Sequence, residues 1–316
     1  MARARGGAWV CHSKPASEGM FRMQESPAYR SGYVVICGYP NAGKSTLMNQ
    51  ILDFKLAIVT PKPQTTRRRT LGILTRPDAQ VIFLDTPGIL EPGYDLQAAM
   101  MKQVQESLAD ADLVLYLVDV TAPRMAPGVV EVSGQKPVLV VLNKADRLGA
   151  ADETLPIIDS LQAEGRFAGF HAASALTGAG VPEVLEEVVS LLPPGPQFYP
   201  EDQLTEHPER FFVAELIREA IFSQYREEVP YSTEVGIEEF HETPGRKDLI
   251  RATVFVESES QKGIIIGKGG AAIKRLGQAA RGAIETFLDR PVFLELRVKV
   301  LPKWRRDERA LKRFGY

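Results

Sequence analysis

The sequence predicts an α/β chain in two parts, a domain built on a mainly parallel sheet and then a smaller α+β domain. Three observations predict this. Continuous apolar runs alternate with helical patterns through the first part, as strands buried on both faces require. Pro193-Pro194-Gly195-Pro196 then breaks every periodic pattern and marks a boundary. Finally, residues 246–316 hold 17 Lys and Arg against 8 Asp and Glu, a balance of +9 in a chain whose net charge is −2.

Residues 1–30 carry Arg3, Arg5, Gly6, Gly7 and Lys14 without apolar periodicity. They are expected to be a disordered extension, or the product of a start assigned upstream of Met20 or Met23, and they lack a secretory apolar core. The first domain is placed at 31–195. Its strands are expected at 33–37, 71–75, 80–84, 113–118 and 138–142, with a weaker one at 167–172. The second and third of these, separated by a turn at Pro77-Asp78, read as an antiparallel hairpin. Helical patterns fall at 47–52, 96–108 and 181–192. Residues 196–316 read as a linker and the second domain. They give a helix at 211–225, strands near 232–240 and 250–257, a glycine-broken helical pair at 263–287 and a strand at 292–300.

At 316 residues the chain is long enough for two cores. Its hydrophobic content of 44% and charged content of 25% are those of a soluble globular protein. The two cysteines, Cys11 and Cys37, imply no disulfide framework, which suits a reducing cytoplasm. No apolar run approaches the roughly 18 residues of a spanning helix. A basic module on an otherwise acidic chain points to a polyanionic partner.

Four motifs follow the predicted strands in order. Gly38-Tyr39-Pro40-Asn41-Ala42-Gly43-Lys44-Ser45 lies between a strand and a helix, the setting of a phosphate-binding loop. Its glycines let amide N–H groups wrap phosphate. Lys44 would bridge the β- and γ-phosphates, and the Ser45 hydroxyl, followed by Thr46, would ligate Mg2+. Asp85-Thr86-Pro87-Gly88 ends a strand, where ligands bind in open α/β sheets; Asp85 would hold Mg2+ through water and the Gly88 N–H would reach the γ-phosphate. In Asn143-Lys144-Ala145-Asp146, the Asp146 carboxylate would accept from guanine N1–H and N2, a pair that adenine does not offer. Lys144 would lay its stem over the base and Asn143 would brace the loop. Ser174-Ala175 would direct a backbone N–H at guanine O6. Together these predict a P-loop GTPase domain that binds GTP or GDP with Mg2+.

The loop Thr60-Pro61-Lys62-Pro63-Gln64-Thr65-Thr66-Arg67 reads as a switch, with Gln64, Thr65, Thr66 and Arg67 at its centre. Either Thr65 or Thr66 would reach Mg2+ when a γ-phosphate is present. Ile89 stands where many GTPases place a water-orienting glutamine, so hydrolysis should be slow unless another group or a cation assists. Asn41 is a candidate to help hold a monovalent cation such as K+. Two functions are open, a turning-over GTPase and a GTP-gated binding scaffold with negligible turnover. In either, ordering of the switch loop would move the second domain across the 193–196 linker.

In the second domain, Gly267-Lys268-Gly269-Gly270 separates two helical stretches, the arrangement of the G-x-x-G loop of a KH-type RNA-binding domain. Lys268, with Lys262, Lys274 and Arg275, would contact phosphate, and Ile264, Ile265 and Ile273 would line the base groove. A dinucleotide site is the rival, but Asp289 falls at a helix end instead of a strand end. In Lys303-Trp304-Arg305, Trp304 would stack on a base and Arg305 would meet phosphate.

These residues resemble the Era family of bacterial ribosome-assembly GTPases. The resemblance is carried by residues 38–47, Gln64-Thr65-Thr66-Arg67, Glu228-Val229-Pro230-Tyr231-Ser232-Thr233, residues 263–270 and the ending Asp307-Glu308-Arg309-Ala310-Leu311-Lys312-Arg313-Phe314-Gly315-Tyr316. It covers residues 32–316. It implies a GTP-hydrolysing switch whose KH domain binds the 3′ end of 16S ribosomal RNA and assists 30S subunit maturation. It further implies membrane association, and the chain is expected to be a monomer in the cytoplasm, with peripheral contact at the inner face of the plasma membrane.

Overall fold

The computed structural model describes residues 28–242 and 245–316, so the expectation for residues 1–27 lies outside the described residues. Arg30, counted with the extension, already opens the first strand. In chain order the first domain runs β1 (Arg30–Gly38), α1 (Lys44–Leu52), β2 (Thr70–Thr75), β3 (Ala79–Asp85), α2 (Asp95–Asp110), β4 (Leu113–Asp119), α3 (Val129–Ser133), β5 (Val138–Asn143), α4 (Leu155–Gln162), β6 (Gly169–Ala173) and α5 (Val181–Leu191). The sheet order is β2-β3-β1-β4-β5-β6, and every pairing is parallel except β2 with β3.

The apolar runs form this sheet because both faces are covered. Val34 and Ile36 of β1 join Leu47 and Met48 of α1 and Val184 and Val188 of α5 in one cluster. Val35 and Cys37, on the opposite face, join Val104 and Leu108 of α2 and Leu161 of α4 in another. Successive strand residues point to opposite faces, so a strand between two helical layers has no polar side. Strand β6 starts at Gly169, two residues later than expected, and Phe167 instead packs edge-on against Phe170 at 5.3 Å.

The proline-rich segment stays on this sheet. The Ser31 N–H donates to the Pro193 carbonyl and the Gly195 N–H to the Tyr29 carbonyl, while the Phe198 and Tyr199 amides donate to Gln80 Oε1 at 2.7 and 2.9 Å. Farther on, the Ile73 N–H donates to the Leu204 carbonyl at 2.8 Å. The second domain then runs α6 (Glu209–Gln224), α7 (Val229–Ser232), β7 (Glu234–His241), β8 (Asp248–Val256), α8 (Glu259–Ile266), α9 (Ala271–Leu288), β9 (Val292–Val300) and α10 (Glu308–Phe314). The predicted order of helix, strand, strand, helix, helix, strand is present. Strand β8 is central, antiparallel to β7 and parallel to β9, and α6 and α9 pack their apolar stripes on this sheet through Ile217, Ile221, Leu276 and Ile284.

Two apolar seams join the domains. Phe212 of α6 is buried in the first domain's core with Phe287 of α9 packed against it. On the other side, Leu96 and Met100 of α2 meet Phe255, Trp304, Leu311 and Phe314. This corrects the reading of Trp304 as a stacking platform: its ring is 0% exposed, its Nε1 donates to the Ser232 carbonyl at 2.8 Å, and it meets Phe314 edge-on. Among the described residues no helix is long and apolar enough to cross a membrane.

A Trp304→Phe protein should therefore lose about 1–3 kcal/mol of stability, from the lost indole volume and its hydrogen bond. Thermal unfolding checks this. RNA affinity should be unchanged, and a parallel titration with single-stranded RNA separates packing from stacking.

Candidate nucleotide and nucleic-acid sites

The ends of β1, β3 and β5 lie along one edge, because Ile36 pairs with Asp85 and Asp119 with Asn143 in parallel register. The loops after these strands converge there. Helix α1 starts at Lys44 with no side-chain cap, so its first amides remain free for an anion. Gly43 is left-handed at φ 96°, and a Cβ there would stand 2.1 Å from Asn143 Nδ2. Lys44 is only 6% exposed, and its Nζ donates to the carbonyls of Gly38 and Tyr39 at 3.2 and 3.0 Å. Burial lowers its pKa, against the opposing pull of Asp85.

Opposite the helix N-terminus, Ser45 Oγ donates to Asp85 Oδ2 at 2.6 Å and lies 2.9 Å from Thr66 Oγ1. Asp85 is fully buried and its Oδ1 has no partner. Burial pushes its carboxyl up to about 6, opposed by the Ser45 bond, by Lys44 and by Thr66. Two hydroxyls and an unpartnered carboxylate oxygen form the hard-oxygen donor set that Mg2+ prefers. The structure also separates the two threonines. Thr65 Oγ1 turns away to Thr60 Oγ1 and the Lys62 carbonyl, whereas Thr66 faces the metal corner.

Gln64 is left-handed at φ 58° and accepts from Gln97 Nε2. Arg67 is buried against the second domain and donates to the carbonyls of Thr233, Pro230 and Tyr231 and to Glu234. Gly88 lies so close to the phosphate loop that a Cβ would stand 2.7 Å from the Pro40 backbone. Ile89 packs its side chain with Tyr39 against the core cluster of β1 and β4.

At the far end of the same groove, Asn143 Nδ2 donates to the Ala42 carbonyl at 2.6 Å and its Oδ1 accepts from the Ala175 N–H at 2.9 Å. One side chain thus braces the phosphate loop and the Ser174-Ala175 loop together. Asp146 Oδ1 accepts from Ser174 Oγ at 2.6 Å. Asn41, Thr46, Lys144, Asp146, Ala175 and Leu176 line the cavity between these loops. The sequence reading missed Asp119, which holds Lys144 Nζ at 2.5 Å. Burial pulls the Asp119 carboxyl up, but bonds from Lys144 and Thr121 outweigh it and hold it below the usual range. Its position at the end of β4, level with Asn143, is the signal that could have found it.

In the second domain, Gly267, Gly269 and Gly270 all take positive φ between α8 and α9, and Lys268 is exposed at the tip. A Cβ on Gly267 would stand 2.6 Å from that of Ala272, whereas Gly269 faces open space. Lys274 and Arg275 are exposed on the first turns of α9, and Lys262 stands before the loop on α8. Ile264 is 47% exposed and available to a groove, but Ile265 is 0% exposed in the domain core. Ile265 is therefore a core residue, contrary to expectation. Arg305 is likewise engaged within the chain, paired to Glu257 and lying over Tyr94 at 5.2 Å.

The comparisons agree with both halves. Residues 33–144 match the family described as "50S ribosome-binding GTPase" and residues 228–305 match the KH domain. The chain is 45% identical over 299 residues to the GTPase Era of Lactobacillus delbrueckii subsp. bulgaricus, spanning 93% of this chain and 98% of that one. The chain belongs to the Era family of GTPases. It is also 46% identical over 298 residues to the chloroplastic GTPase ERA1 of Zea mays, spanning 91% of this chain and 71% of the relative. Among solved structures, an Era in complex with MgGDPNP and nucleotides 1506–1542 of 16S ribosomal RNA superposes with TM-score 0.87 at 41% identity, over 91% of this chain and 99% of that one. An Aquifex aeolicus Era variant bound to GDP·AlF4− gives 0.86 at 40% identity, over the same shares.

For an Era-family protein free of metal, the buried Asp85 has a thermodynamic signature. Its folded pKa of about 6 exceeds the unfolded value near ~4. The stability contribution is thus present below about pH 4 and is lost as pH rises through 6. Denaturant titrations of the metal-free protein should show stability falling by about 2–3 kcal/mol over that window. The Asp85→Asn protein should lack this component.

Proposed function

We propose that the protein is a GTP-driven switch that binds the 3′ end of 16S ribosomal RNA through its KH domain and assists maturation of the small ribosomal subunit in the cytoplasm. One observation carries the nucleotide half. The free amides of α1, the oxygens of Ser45, Thr66 and Asp85, and the Asp146 carboxylate line one continuous edge, in the order of phosphates, metal and base. The RNA half is supported by the exposed Lys268 loop and by the RNA named in the solved Era complex.

In this reading Mg2+ would supply positive charge that offsets the charge developing on the phosphates during hydrolysis. Ser45 and Thr66 would hold it through their hydroxyls, and Asp85 would hold it through water. Lys44 moves from the Gly38 and Tyr39 carbonyls to the phosphates, and the Gly88 N–H meets the γ-phosphate. Asp146 selects guanine, Lys144 covers the base while Asp119 steadies its ammonium, and the Ala175 loop is held at O6 by Asn143. Hydrolysis consumes GTP and water and yields GDP and phosphate.

Slow intrinsic turnover follows from Ile89, whose side chain packs inward with Tyr39 and offers no hydrogen bond to the attacking water. Turnover measured with and without an RNA oligomer of the 16S 3′ end tests this. Stimulation by the RNA supports the enzyme, and flat, near-zero rates support the alternative of a GTP-gated scaffold. Asn41, at φ 64° in the phosphate loop, would help hold K+ beside the phosphates. Hydrolysis should then be several-fold faster in K+ than in Na+, and equal rates would remove this role.

A further inference from the structure

The switch loop takes its shape from the second domain. Glu219 of α6 accepts from the Val59 N–H at 3.1 Å and pairs with Lys55 at 2.7 Å. Lys62 Nζ donates to the carbonyls of Phe222 and Tyr225 at the C-terminal end of α6. Closest to the metal corner is Arg218, a residue of α6 that is 1% exposed. Its Nη2 donates both to the Thr65 carbonyl at 2.5 Å and to Glu215 Oε2 at 2.6 Å, and its Nε donates to Glu215 Oε1 at 3.1 Å.

We infer that Arg218 is a positioning residue of the nucleotide site: by fixing the Thr65 carbonyl from the second domain, it aims Thr66 at the metal. The inference rests on the reading of Thr66 as a Mg2+ ligand. The Thr65 carbonyl belongs to the peptide unit that leads into Thr66. The Thr65 hydroxyl is tied separately to Thr60 and to the Lys62 carbonyl. With side chain and carbonyl both held, the backbone direction entering Thr66 is set, and its Oγ1 stands 2.9 Å from Ser45 Oγ. The other anchors act at residues 55, 59, 62 and 67, so Arg218 alone among them bonds the peptide next to Thr66.

Arginine is needed because Nε and Nη2 together grip the Glu215 carboxylate as a planar fork, which aims Nη2 at the Thr65 carbonyl. A lysine would keep the charge but present a single nitrogen. Glu215 orients the fork: burial raises its carboxyl, but Arg218 and the neighbouring arginines outweigh that and hold it at about 2. The pair is therefore ionised wherever GTP is bound. Since Thr66 reaches the metal only when a γ-phosphate completes the site, Arg218 should affect GTP and leave GDP alone.

The test uses the full chain and its Arg218→Lys, Arg218→Met and Thr66→Val variants. Affinities for GDP and for a non-hydrolysable GTP analogue are measured across a Mg2+ titration. Each Arg218 variant should need about tenfold more Mg2+ for half-maximal analogue binding, the effect of one hydrogen bond of ordinary net strength, with GDP affinity within about twofold of the parent. The Arg218→Met, Thr66→Val double variant should be no worse than Thr66→Val alone. A normal Mg2+ requirement in both Arg218 variants, beside an impaired Thr66→Val, would overturn the positioning role. GDP affinity falling in step with analogue affinity in Arg218→Lys would overturn it too, as general damage. If Thr66→Val itself is normal, Thr66 is no ligand and the inference falls with that reading.

Discussion

Buried guanidinium groups between the domains are the constraint on which the rest of the structure depends. Arg67 and Arg218 are almost wholly enclosed, as is Glu234, and a buried charge left without partners costs several kcal/mol. Arg67 reaches three carbonyls around residues 230–233, and Arg68 pairs with Glu215 and donates to the Phe314 carbonyl. Tyr316 donates to Glu234 at 2.7 Å. Apolar seams on either side, at Phe212 and Phe287 and at Trp304 and Phe314, exclude water from this cluster. Those seams would tolerate sliding, since dispersion and hydrophobic burial have no direction. The arginine bonds do not, so they select one seating of the second domain on the switch loop.

The same logic, at smaller scale, assembles the nucleotide edge. A parallel sheet delivers its loops to one end, but loops are the least stable part of such a fold. Asn143 compensates by bonding two of them at once, and Gly43 leaves room for its amide, since any Cβ there would collide with it. Asp119 performs a similar service for Lys144, which is held at a positive φ of 66°. The base end is thus fixed in advance by polar bonds, whereas the metal end is held by a loop that borrows its shape from α6.

That difference explains what could be read in the amino acids. The strands, the phosphate loop, the Asn143 to Asp146 motif and the glycines before α9 are local signals, and each lay at or near where periodicity or motif context put it, β6 starting two residues late. Thr65 and Thr66 were inseparable because what distinguishes them is how the loop folds: the Thr65 hydroxyl turns to Thr60 and the Lys62 carbonyl, and its backbone carbonyl accepts from Arg218, far along the chain on another domain. Trp304 looked exposed between Lys303 and Arg305, yet Phe314 and Ser232 enclose it, and no local pattern reports such a lid. Ile265 shared an apolar turn with Ile264, but helical geometry sends adjacent residues to different sides, so one reaches the core and the other the surface. The proline-rich segment looked like a tether, but its backbone bonds to Tyr29 and Ser31 keep it on the first sheet.

Contact between the two functional ends therefore runs through α6. Tyr225, at its C-terminal end, accepts from Lys62 of the switch loop through its carbonyl, and its hydroxyl donates to the Ile265 carbonyl at 3.0 Å. Ile265 stands two residues before Gly267, where the RNA-type loop begins. One residue is thus shared by the loop beside the nucleotide site and the helix that leads into the Lys268 loop. Contiguity carries coupling only when both ends bias an element with two arrangements, and in the proposed switch reading the segment from Val59 to Arg67 is that element. Its inner bonds run through Thr66 to Ser45 and Asp85. Its outer bonds, through Lys62, Arg67 and the Thr65 carbonyl, belong to the second domain. A loop held on both sides transmits a change on one side as strain on the other, and Tyr225 is where that strain meets α8.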